Sequence, residues 1–205
     1  MVVIAMPAPS IKATPTTSRS NFWSLGIDGG RTGAAVLVSP SSKAKSITTW
    51  KYRKRKSGNI YSIENHFIGE KKEVKFPWQI GYEIRRRIAV SGAPALIQNN
   101  LIVNSEDIYV GRNAKTSIAL ARFCGTIVGQ VESLDKEGEA IWVKAEKWRR
   151  ELLGMGSFTN RADAKAGSLK LIPQLVSGLD FQNLDSLDHV TDAAGIAIWG
   201  LKMRS

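Results

Sequence analysis

Four side chains in this chain have the types and positions needed for hydrolytic chemistry. Asp28 closes a short apolar run, Asn21–Ile27, and is followed by the Gly-rich turn Gly29-Gly30-Arg31-Thr32-Gly33. Glu106 closes a second run that begins at Leu101. His189 and Asp192 stand three apart near the start of a third apolar stretch, so on a helix they share a face. Three carboxylates and an imidazole are hard donors that suit Mg²⁺ or Mn²⁺. Two such ions about 3.5–4 Å apart activate water and stabilise the leaving oxygen in phosphodiester cleavage. The net charge of +11, with a pI near 9.9, supplies the matching substrate class, a polyanion with nucleic acid first in line. Each piece alone has a plainer explanation. An Asp-Gly turn reverses the chain, Glu106-Asp107 can be a solvated strand end, and Asp188 and Asp192 can be helix N-terminal charges favoured by the dipole. What joins the pieces is that every segment pairs an apolar element with an acid at its end.

The elements that must hold these groups are legible from period and punctuation. Asn21–Ile27 and Ala34–Val38, joined by the Gly-rich turn, read as an antiparallel hairpin whose bare glycines let a phosphate or metal approach. Ile47–Lys56 reads as a third strand whose basic end either grips phosphates or protects a solvated edge from aggregation. Ser57–Lys75, polar and mixed in charge, reads as a long loop or hairpin, with His66 at the surface. Pro77 opens a helix to about Val90 carrying Ile80, Ile84 and Ile88 at spacings of four. The Arg85-Arg86-Arg87 run fans around that helix. The strand from Leu101 to Glu106 leads into a helix from about Lys115 to Ser133, with Ile118, Ala121, Cys124, Gly125 and Val128 on its apolar positions. A strand at Ala140–Val143, helices at Glu146–Leu153 and Arg161–Val176, and a small, apolar helix from Asp188 complete the chain. The expected architecture is one α/β domain, residues 21–205, with a mixed five-stranded sheet and helices on both faces.

Composition narrows the class further. The single cysteine, Cys124, excludes an internal disulfide and a Cys-cluster zinc site, and its place in an apolar run suits a small core residue. No apolar run reaches the roughly 18 residues of a membrane span, so no membrane partner is expected. Residues 1–20 are rich in Ser, Thr, Pro and Ala and carry no acid. They read as a disordered leader, with an organelle transit peptide as the alternative. The expected compartment is accordingly the cytoplasm of a bacterial or phage-infected cell, or an organelle.

With these residues in view, the chain resembles the RuvC-type Holliday junction resolvases of the RNase H-like superfamily. Leu25-Gly26-Ile27-Asp28-Gly29-Gly30-Arg31-Thr32-Gly33 is similar to the family's first strand, with Gly29 where proline is common. Glu106, Tyr109, Arg112-Asn113 and the helix through Gly125 are similar to its second acidic block. His189-Val190-Thr191-Asp192-Ala193-Ala194-Gly195-Ile196-Ala197 is similar to its last. The resemblance runs from about Phe22 to Trp199 and leaves out the basic segment at 51–75 and the leader. It implies a homodimer that resolves four-way DNA junctions by paired symmetric cuts. It implies that Asp28, Glu106 and Asp192 hold Mg²⁺ or Mn²⁺, two ions per site, with His189 as the fourth ligand or as a proton-transfer group. It further implies that Tyr109 stacks on a splayed base and that Lys165 lies near the scissile phosphate. Arg112, Asn113, Lys115 and Arg161 would contact the DNA backbone, and the helix after Glu106 would form much of the dimer interface. A branch- or flap-cutting RNase H-like nuclease and a non-catalytic junction-binding protein remain open beside this reading.

Overall fold

The structure is a computed structural model that describes residues 21–56, 58–91, 100–108, 113–132, 140–155, 161–179, 184 and 186–204. The leader 1–20 and the candidate DNA contacts Tyr109 and Arg112 lie outside the described residues. The strands are β1 (Trp23–Asp28), β2 (Gly33–Val38), β3 (Ala44–Arg55), β4 (Gly58–Asn65), β5 (Glu70–Val74), β6 (Leu101–Glu106) and β7 (Ile141–Val143). The helices are α1 (Pro77–Val90), α2 (Ala114–Glu132), α3 (Ala145–Leu153), α4 (Arg161–Leu175) and α5 (Leu187–Met203). The strands form one mixed sheet in the order β5-β4-β3-β2-β1-β6-β7. From β5 to β1 every pairing is antiparallel, while β6 and β7 continue from β1 in parallel.

The expected five strands are present as β1, β2, β3, β6 and β7, but the sheet has seven. The two extra strands come from the polar segment after Lys56. Its Tyr61, Ile63 and Val74 are buried on one face, and Gly69, at φ +65°, makes the turn between β4 and β5. The charges that made the segment read as loop are paired instead of solvated. Arg86 bonds Glu83 at 3.0 Å and Glu70 at 2.7 Å, Arg87 pairs with Glu70, and Lys72 pairs with Glu83. His66 is likewise not at the surface. Its side chain is 12% exposed and its Nε2 lies 2.9 Å from the Thr49 hydroxyl.

Helices cover both faces. One core joins Leu25, Ile27, Trp50, Tyr61 and Val103 to α1 and α2. The other joins Val36, Ile47 and Val143 to Trp148 of α3, Ile172 of α4 and the whole of α5. Every residue of α5 from Val190 to Leu201 is buried, as a helix with apolar residues all round requires. It lies very close to the sheet. A Cβ on Gly26 would stand 2.0 Å from the Ala193 carbonyl oxygen, so only glycine admits α5 at this distance. On α2 the apolar positions divide. Cys124 and Val128 are buried, whereas Ile118 (53% exposed), Ala121 and Gly125 face outward. Among the described residues no helix is long and apolar enough to cross a membrane.

Candidate active site

Strand alternation puts the carboxylates where α5 can reach them. Leu25 and Ile27 of β1 point to the α1–α2 face, so Gly26 and Asp28 point to the α5 face. β1 and β6 run parallel with Ile27 opposite Ser105, and the next step in that register sets Asp28 beside Glu106. α5 then brings His189 and Asp192 down from above. Asp28, Glu106, His189, Asp192 and Lys165 all line one cavity of about 680 Å³, together with Arg31 and Arg149. Three segments more than 75 residues apart in the chain thus meet in one place.

The glycines after Asp28 do not leave the backbone bare, contrary to expectation. The space a side chain would take at Gly29 holds the Cys124 sulfur, at 2.7 Å, and that at Gly33 holds the Trp50 ring. Burial pushes the Cys124 thiol up to about 12, so it stays neutral and serves packing.

The three carboxylates are held differently. His189 Nδ1 lies 2.6 Å from Asp28 Oδ2, and this hydrogen bond raises the imidazole's pKa against the opposing effect of burial. Asp192, 6% exposed, accepts from the Arg149 guanidinium at 2.8 Å, yet its pKa is still raised, chiefly by burial. Arg149 is itself fixed, with Nε donating to the Ser168 hydroxyl at 3.1 Å and its guanidinium over the Trp148 ring at 4.7 Å. Glu106 has no cation of its own. Among the described residues its Oε2 is buried without a well-formed hydrogen bond, as is the nearby Trp148 Nε1, whose N–H favours the charged form of Glu106. Burial, then the charges of Asp28 and Asp192, push the Glu106 carboxyl up to about 7, a rise that Arg149 and the Trp148 indole only partly offset. Burying a carboxylate oxygen unpaired costs a few kcal/mol and marks a place where a cation is wanted.

That orphaned oxygen and the hard donors around it fit a divalent cation. Among the described residues, however, no group of three or more His, Cys, Asp or Glu side chains is set at metal-holding distances. Asp28 is engaged with His189 and Asp192 with Arg149. Arg149 is the site residue that sequence reasoning missed. On its own it is one arginine in an amphipathic helix, and only the fold brings α3 against α5.

The remaining expected contacts fare unevenly. Lys165 reaches the cavity but is paired with Asp188. Burial alone would raise the Asp188 pKa, but the Lys165 ammonium and His189 outweigh it and hold the carboxyl below its usual range. Asn113 accepts from the Thr116 amide at 3.2 Å and so caps α2. Lys115 is exposed beside it, and the side chain of Arg161 lies outside the described residues.

No protein-family model and no curated protein matches the chain. Among solved structures it is similar to T. thermophilus RuvC in complex with Holliday junction substrate, at 15% identity and a TM-score of 0.47. That match covers 89% of this chain and 96% of the other.

Proposed function

We propose that this protein is a metal-dependent endonuclease that resolves four-way DNA junctions. The observation that carries the reading is the convergence of Asp28, Glu106 and Asp192 on one cavity, with a buried Glu106 oxygen that has no well-formed hydrogen bond among the described residues. The order of the acidic blocks and the mixed five-strand block β3-β2-β1-β6-β7, helices on both faces, support the RNase H-like arrangement that the sequence motifs imply.

Asp28, Glu106 and Asp192, with His189, would hold Mg²⁺ or Mn²⁺. Bound there, such ions supply an activated water and neutralise charge on the leaving oxygen. The chain's own groups do the rest. His189 holds a proton at Nδ1 against Asp28 Oδ2 and fixes that carboxylate's orientation. Arg149 holds Oδ1 of Asp192 at 2.8 Å and so fixes that carboxylate at the cavity wall. Lys165, at the cavity wall, places a positive charge beside an incoming phosphate once it parts from Asp188. The homodimer would form on the outer face of α2. There Ile118, Ala121, Gly125 and Trp142 of β7 line an apolar groove of about 480 Å³, and among the described residues nothing lies within 4 Å of a Cβ built at Gly125 or Gly129.

The test is cleavage of a labelled synthetic four-way junction beside a linear duplex and a splayed fork, with and without Mg²⁺. Paired, symmetric, metal-dependent nicks confined to the junction are expected. Equal cutting of the fork would replace this reading with a broader branch nuclease, and tight junction binding without cutting in Mg²⁺ or Mn²⁺ would leave a binding protein.

A further inference from the structure

The basic segment at the end of β3 stands apart from the acidic cavity and has no role in the reading above. As an edge strand it would need its lysines only against aggregation, but β3 is not an edge, since β2 and β4 flank it. Its pairing with β2 ends at Gly33↔Trp50, and the pairing of β5 with β4 goes no further than Tyr61↔Val74. Beyond those points β3 and β4 continue alone, through Arg53↔Ile60, Lys54↔Asn59 and Arg55↔Gly58. This is a two-stranded ribbon projecting from the sheet. Such ribbons are marginally stable in water, and apart from Ile60 its paired residues are exposed, so core packing gives little reason for its length.

Its charge is unbalanced. Arg55 is matched by Glu73 at 2.6 Å, but Lys51, Arg53, Lys54 and Lys56 are exposed and form no ion pair among the described residues. At the base of the ribbon Tyr52 packs at a tilt against Tyr61 (centroids 5.8 Å apart, planes at 55°), and Tyr61 against Phe123 (5.3 Å, 39°). The Arg31 guanidinium lies over the Tyr52 ring at 5.2 Å. Beside this ladder is a groove of about 670 Å³ lined by Arg31, Tyr61, Pro77, Thr116 and Arg122. Arg31 and Leu120 line both this groove and the acidic cavity, so the two are contiguous.

We infer that the groove and the projecting β3–β4 ribbon form a binding track for the sugar-phosphate backbone of one DNA arm as it leaves the acidic cavity. The inference rests on the nuclease reading for its ligand class. Arg31 and Arg122 line the groove, Lys54 follows Tyr52 on the same face of the ribbon, and Lys51 and Arg53 occupy its other face; such unpaired cations recognise phosphates without regard to sequence.

The experiment measures junction affinity of the full chain, without divalent ions, across a series of salt concentrations. The test variant is Arg53→Gln, Lys54→Gln and Lys56→Gln together. The charge-matched control is Lys43→Gln, Lys202→Gln and Arg204→Gln, at the β2–β3 turn and the end of α5. Each lost phosphate contact lowers the slope of log affinity against log salt by about 0.9. The ribbon variant is expected to lose about 2 to 3 in slope and, near 0.1 M salt, on the order of 10- to 100-fold in affinity. Arg122→Gln is expected to move the slope the same way by about 1, and the control to change neither quantity by more than about twofold. All the substituted side chains are exposed, and an unchanged melting temperature checks that folding is intact. A ribbon variant with the wild-type slope, or a control that falls equally, overturns the track while leaving the nuclease reading in place. Wild-type protein that binds through the ribbon but never cuts overturns the nuclease reading and keeps the track, and wild-type protein that binds no junction overturns both.

Discussion

Two buried glutamates meet opposite fates in this molecule. Glu83, on α1, is 3% exposed, and burial alone would raise its pKa. Lys72 and Arg86 outweigh that effect, and the carboxyl is held below the ordinary range. Glu106 is pushed up to about 7, first by burial and then by the charges of Asp28 and Asp192, while the Arg149 guanidinium that opposes them is paired with Asp192. Around Glu83 each acid has a cation of its own, which is how a chain holds an added strand pair in place. Around Glu106 the folded chain keeps three carboxylates together, and among the described residues one Glu106 oxygen has no well-formed hydrogen bond. Stability gives no reason for such an arrangement, so it belongs to binding something positive.

The contrast can be broken most strongly through cleavage. Asp28→Asn or Glu106→Gln is expected to reduce metal-dependent junction cutting by at least about 10³-fold, because each removes several kcal/mol of ion-mediated stabilisation, while junction binding survives. Full activity in either variant removes the basis for the site. Next in size is Arg149→Met, which leaves Asp192 buried beside Glu106 without its counter-charge. It is expected to cost about 3 kcal/mol in denaturant unfolding at pH 7. An unchanged midpoint would mean that Asp192 draws nothing from the guanidinium.

The third prediction turns on pH. The folded protein holds the Glu106 proton until about pH 7, whereas an unfolded glutamate releases it near 4.5. Over that window the native state binds more protons than the unfolded state, so stability falls as pH rises. His189 acts in the same direction. Its raised pKa gives stability that is present below its unfolded value and is lost as pH climbs through the folded one. Metal-free protein should therefore be less stable at pH 8 than at pH 5. Glu106→Gln should remove about 2–3 kcal/mol of that difference and leave the variant more stable than wild type at pH 8. Chemical denaturation of chelator-treated protein at the two pH values measures this, and equal slopes in the two proteins would contradict it. The smallest expected effect has the opposite sign. Glu83→Gln should destabilise by about 1–2 kcal/mol, because Lys72 and Arg86 are partly exposed and water recovers some of the loss.

Much of the fold could be read in the sequence, for identifiable reasons. The apolar runs that end in Asp28 and Glu106 mark their own strands, Pro77 opens α1 where expected, and Ile80, Ile84 and Ile88 are all buried as their spacing demands. The segment after Lys56 reads as either a loop or a hairpin, because the charges of β5 are matched by partners on α1 and patterning within a segment cannot show a charge matched from another element. The division of α2 escaped for a related reason. Ile118 and Cys124 fit one helical stripe equally well, and only the position of the sheet decides which of them is covered. Arg149 was hidden in the same way, since its meaning comes from Asp192, 43 residues further along the chain.

The register between β1 and β6 has a consequence for how this chain can change over generations. Asp28 and Glu106 meet because two parallel strands are aligned residue for residue, with every alternate side chain committed to one face. Deleting a single residue inside either strand would turn its acid to the opposite face and empty the cavity. The long stretch between them is free of that constraint, because β2 through β5 extend the sheet away from β6. Length can be gained or lost at that far edge, ribbon included, while the distance between the two acids stays the same. The far edge can therefore diversify without any alteration to the pair of acids.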